Sequence, residues 1–118
     1  MSRPLTERER LALRAMIERA TGSDGVVIAA QDRQRWLDQA AEAQAGARCA
    51  CGTCPSIELE VPGRSIAREP SQRVVLEAGS PGAMLLLFID DDVPSYLELA
   101  PIDEGPILEF PPPVLITP

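Results

Sequence analysis

Histidine, lysine and asparagine are absent from the 118-residue chain, and all eleven basic residues are arginine. Without histidine, Ser-His-Asp and Cys-His activation of a nucleophile and imidazole ligation of a metal are excluded within the chain. Without lysine there is no side-chain Schiff base and no Walker lysine. Catalysis would have to rest on carboxylates, thiols, arginine, hydroxyls or one tyrosine. A non-enzymatic role is therefore the expectation, because histidine, lysine and activated pairs dominate acid–base and covalent chemistry.

Aromatic residues are nearly missing too. Trp36, Phe88, Tyr96 and Phe110 are the full set, so the core must be aliphatic. No apolar run approaches the roughly 18 residues of a membrane span, and Met1 to Glu7 contains no signal-like apolar segment. The expectation is a cytoplasmic chain with no membrane partner. Only three cysteines are present, and an odd number in a reducing compartment argues against a disulfide framework.

What is present reads as one globular domain. A chain of 118 residues has room for a single core, and 45% hydrophobic with 25% charged residues is an ordinary globular balance. The formal charge of −7 is unevenly spread, with +1 on residues 1–48 and −8 on residues 49–118. Such an acidic half repels phosphate backbones, which argues against nucleic acid and suits a basic protein partner.

The hydrophobic period changes midway. Thr6-Glu7-Arg8-Glu9 matches a capping box, and Leu13, Met16, Ile17 and Ala20 share one helical face, predicting a helix over 7–20. Thr21 to Gly25 ends it. Residues 32–45 favour a second helix, with Trp36, Leu37, Ala40, Ala41 and Gln44 as its inner stripe and Gly46 as its stop. Beyond Gly46, Ile57, Leu59 and Val61 alternate with Ser56, Glu58 and Glu60 as in a half-buried strand. Arg73–Ala78 reads as a second strand. The continuous apolar run Ala83–Ile89 predicts a strand in mid-sheet with both faces covered, paired as a hairpin with 95–100 across the turn Asp90 to Pro94. The tail Gly105–Pro118 is rich in proline yet strongly apolar, which predicts an extended strap.

The expected fold class is α+β. Two N-terminal helices (1–46) pack on an antiparallel sheet of about four or five strands (47–104), closed by the C-terminal strap (105–118).

Chemistry is concentrated where the period changes. Cys49, Cys51 and Cys54 form Cys-x-Cys-x-x-Cys, and thiolates are the preferred ligands of zinc, copper(I) and iron–sulfur centres. A fourth ligand would have to come from a carboxylate such as Glu58 or Glu60, from water or from a second subunit. Cys51-Gly52-Thr53-Cys54 is also a Cys-x-x-Cys dithiol, although neighbouring glutamates are expected to raise its thiol pKa. Asp90, Asp91 and Asp92 lack the spacing and glycine of a calcium loop. With Glu98, Asp103 and Glu104 they are candidates for an acidic interaction surface.

The segment Arg-Cys-x-Cys-Gly-x-Cys-Pro-Ser followed by Ile-Glu-Leu, with Leu-Leu-Leu-Phe-Ile-Asp-Asp and Ser-Tyr-Leu-Glu-Leu further on, resembles a group of small bacterial proteins of unassigned function. The similarity spans about residues 47–110 and implies no activity, cofactor or partner.

The first functional expectation is thus a protein-interaction or accessory module, acting on a protein partner or as a homodimer. The alternative is a thiolate metal protein using Cys49, Cys51 and Cys54, with zinc as the ion. A dithiol redox protein is the third reading.

Overall fold

The computed structural model describes residues 2–103 and 105–118. Thr6 caps the first helix, α1 (Glu7–Arg19), as its sequence requires. The Glu9 amide donates to the Thr6 hydroxyl, and the Thr6 amide donates to the Glu9 carboxylate at 2.8 Å. Arg3 donates to both oxygens of the same carboxylate at 2.8 Å, and this pairing, outweighing burial, holds Glu9 below the usual carboxylate range. The second helix, α2, runs over Ala30–Ala40, shorter than the sequence suggests. Trp36 and Ala40 are buried and Leu37 packs against the core, but Ala41 is exposed. Gln44 and Gly46 lie in a strand, not at a helix end.

Among the described residues the sheet has seven antiparallel strands, not four or five. They are β1 (Arg3–Pro4), β2 (Thr21–Gly22), β3 (Gln44–Arg48), β4 (Ile57–Glu60), β5 (Arg73–Ser80), β6 (Ala83–Asp90) and β7 (Val93–Pro101). In space the order is β1-β3-β4-β7-β6-β5-β2. Two of the additional strands are two-residue edges, too short to show any alternation. The third, β3, carries Gln-Ala-Gly-Ala-Arg, a composition that favours helix until its register against β4 is known. Gly46 makes room there for the glutamates of β4. A Cβ at this position would meet the Glu60 Oε2 at 2.9 Å and the Glu58 Cβ at 3.2 Å.

The hairpin turns follow their residues. Asp91 and Asp92 both take positive φ, 47° and 69°, giving the two-residue mirror-type turn that matches strand twist. Val93 and Pro94 are therefore in β7 instead of the turn. Asp92 also ties the turn to α2. Its carboxylate accepts from the Arg35 guanidinium and from Trp36 Nε1 at 2.8 Å, while Gln39 donates to its carbonyl. The Arg35 contact is the largest influence holding Asp92 below the usual carboxylate range.

Both helices and the strap lie on one face of the sheet. Ile57, Leu97, Leu87 and Leu76 form a continuous cross-strand row, each 0% exposed. Above this row sit Leu13, Met16 and Ile17 of α1, in the same core cluster. The strap packs on its own chain. Phe110 and Ile116 are buried, Thr117 and Gly79 exchange backbone hydrogen bonds of 2.7 and 2.9 Å, and Arg19 donates to the Pro113 carbonyl.

The opposite face is only partly covered, contrary to the expectation for Ala83–Ile89. Burial alternates along β6, with Met84 42% exposed and Leu86 and Phe88 half-buried. Among the described residues no helix covers this side, because α1, α2 and the strap pack on the other face. Phe88 packs on Tyr96 with ring centroids 6.1 Å apart and lies under the Arg73 guanidinium at 5.0 Å. At one end, residues 61–66 wall a groove of about 1020 Å³ floored by these two rings.

Candidate metal centre

The connection between β3 and β4 brings the three cysteines together. The Cys49 amide donates to the Ser56 carbonyl at 2.9 Å, extending the strand pairing one step into the loop. Gly52 turns the tip with φ +71°, a conformation glycine adopts without strain. The tip is tied down by the Ile107 amide, which donates to the Thr53 carbonyl at 2.9 Å. The three sulfurs lie within 4.8 Å of one another, and Cys51 Sγ is 3.2 Å from Cys54 Sγ. An ion about 2.3 Å from each of three sulfurs would set them roughly 3.8–4.0 Å apart. The cluster sits on either side of that spacing. Small rotations of side chains on an exposed loop bridge the difference.

The surroundings stabilise thiolate character unequally. Cys51 is exposed and its pKa is lowered to about 6, chiefly by the Thr53 side chain, next by the Thr53 amide, which donates to the sulfur at 3.4 Å, and then by the Cys54 and Cys49 thiols. The expected upward push from the glutamates is not what governs Cys51. Glu58 accepts from the Ala47 amide at 3.4 Å and Glu60 lies over Gly46, so both carboxylates sit along β3 and outside the sulfur cluster. Cys49 is shifted upward. The Cys51 amide favours its thiolate, but interactions with the Cys51 and Cys54 sulfurs together with burial outweigh that bond.

Sequence reasoning missed two supporting residues. Ser56 is 1% exposed, accepts from the Leu99 amide at 2.9 Å and from the Cys54 thiol at 3.3 Å, and donates to the Leu99 carbonyl at 3.4 Å. It fixes Cys54 to β7. Tyr96 lies opposite Glu58 on the partly open face, where its phenol is raised chiefly by burial and then by Cys49 and Glu98. The sequence pattern pointed the other way for Ser56, grouping it with Glu58 and Glu60 on the outer side of the strand, whereas it is buried against Leu99.

The acidic candidates do not form one surface. Asp90 is 4% exposed; burial pushes its carboxyl up, but hydrogen bonds from Arg73 at 2.7 Å and Ser95 at 2.7 Å hold it lower overall. Asp91 accepts from the Gln72 amide, and Asp92 is engaged with α2. Glu98 lies on the partly open face, and Asp103 is exposed beside the Gly82 turn. Glu104 is outside the described residues. Among the described residues, no helix is long and apolar enough to cross a membrane.

No protein-family model, curated protein or solved structure matches the chain.

Proposed function

We propose that the protein binds a soft metal ion through Cys49, Cys51 and Cys54, and that it handles the ion instead of being built around it. The observation that carries this reading is the convergence of three sulfurs within 4.8 Å on one short loop. Thiolates favour thiophilic ions such as zinc and copper(I). Among the described residues no carboxylate joins the sulfurs, so these residues supply three ligands and leave a fourth position to another donor. Structural zinc sites are normally closed by four protein ligands, and three-ligand sites keep an exchangeable position.

The location supports handling over scaffolding. The loop is exposed or half-buried, and the buried aliphatic cluster that holds the sheet and helices together contains none of its cysteines. Folding of this core does not require the ion. Ser56 has a role in the loaded state. When Cys54 gives up its proton, the Ser56 hydroxyl can turn from the Leu99 carbonyl to the sulfur and support it as a ligand.

Titration of reduced protein with zinc against a chromophoric chelator, without oxygen, is expected to show one ion bound per chain. Release of about one proton or more per ion is expected, since bound cysteines are deprotonated. Zinc that stays wholly with the chelator would defeat the reading, as would one ion per two chains.

A further inference from the structure

We infer that Cys51 and Cys54 form a redox-active pair which a hydroperoxide closes to a disulfide, expelling the ion held by the three sulfurs. The release step rests on the metal reading above, whereas the disulfide step does not. The two sulfurs are already 3.2 Å apart. A disulfide needs about 2.05 Å, and the loop that must move is exposed at Cys51, Gly52 and Thr53. Gly52, at φ +71°, lies between them, so the turn that closes the pair exists in the reduced form.

The three cysteines are not equivalent. Cys51 is exposed and faces solvent, where a small oxidant can arrive. Cys54 is half-buried and held from behind by Ser56, which keeps it beside Cys51. Cys49 belongs to the strand side of the loop, its amide fixed to the Ser56 carbonyl. These placements assign attack to Cys51, resolution to Cys54 and a bystander position to Cys49.

The chemistry balances with a hydroperoxide as the oxidant. The Cys51 sulfur attacks the terminal peroxide oxygen, the O–O bond breaks, and the departing oxygen takes a proton to leave as an alcohol, or as water from hydrogen peroxide. Cys51 is now a sulfenic acid. The Cys54 sulfur then attacks the Cys51 sulfur, the S–O bond breaks, and the hydroxide leaves as water, taking the Cys54 proton in the metal-free site and a proton from solvent in the loaded one. Two thiols have lost two electrons and the peroxide has gained them. A disulfide is a poor ligand compared with two thiolates, so one remaining sulfur cannot hold the ion. A dithiol reductant restores the site.

The test uses full-length protein, zinc-loaded and zinc-free, treated with hydrogen peroxide. Zinc release is followed with a chromophoric chelator, and bonds are mapped by differential alkylation and fragmentation. The expected result is one Cys51–Cys54 disulfide, a Cys49 thiol still free to alkylate, and one zinc released per disulfide. In zinc-free protein, Cys49→Ser should still form the bond, and Cys54→Ser should stop at a sulfenic acid trapped by dimedone. A bond involving Cys49, a cross-link between chains, or a loaded site that keeps its zinc after the disulfide has formed would overturn the inference. Failure to load zinc while the Cys51–Cys54 bond forms would sink the metal reading and the release step, but leave the redox pair standing.

Discussion

Cys51→Ser is expected to weaken zinc binding by about a hundredfold or more while leaving the melting temperature of the metal-free protein unchanged. Four-ligand structural zinc sites gain roughly 10–16 kcal/mol, or about 3 kcal/mol per ligand. Every 1.4 kcal/mol is a factor of about ten, so losing one of three thiolates removes about two orders of magnitude. Serine keeps the size of the side chain but binds zinc poorly as a neutral hydroxyl. The fold should not notice, because Cys51 is exposed and its main contacts are with its own loop. Competitive titration and thermal melting of the same samples separate the two effects. Equal affinity in wild type and variant would show that Cys51 is not a ligand.

Leu87→Ala is expected to destabilise the domain by about 3–4 kcal/mol, and Leu86→Ala by about 1 kcal/mol or less. Leu87 is 0% exposed in the row Ile57–Leu97–Leu87–Leu76, beneath the helices. Truncation there removes buried methyl groups and leaves a cavity that a close-packed row cannot fill, a change that costs roughly 2–5 kcal/mol in well-packed cores. Leu86 is its neighbour in sequence and points to the partly open face, where water already reaches the side chain. Urea denaturation of both variants measures the difference. Equal losses at the two positions would mean that the second face is covered as fully as the first.

That pair of leucines also marks what could be seen in the sequence. The run Ala83–Ile89 looks the same on both faces as a string of letters, and only the placement of other segments tells them apart. Helix α1 was legible because Thr6, Glu9 and the Leu13–Met16–Ile17 stripe act locally. Strand β3 was not, since Gln-Ala-Gly-Ala-Arg carries no alternation and becomes a strand only by pairing with β4 and β1. The aspartates show the same division. A polar turn was evident, but that Asp92 would accept from Trp36, and Asp90 from Arg73, depends on tertiary contacts between segments far apart in the chain. At the cysteine loop the ligand spacing was readable. The exclusion of Glu58 and Glu60 from the cluster was not, because it follows from their position over Gly46 and Ala47.

X-ray absorption at the zinc edge of the loaded protein addresses the coordination directly. The account predicts about three sulfurs at roughly 2.3 Å and one oxygen or nitrogen at about 2.0–2.1 Å, on a single chain by sedimentation. Four sulfurs on an ion shared between two chains, or a shell of oxygen and nitrogen alone, would contradict it.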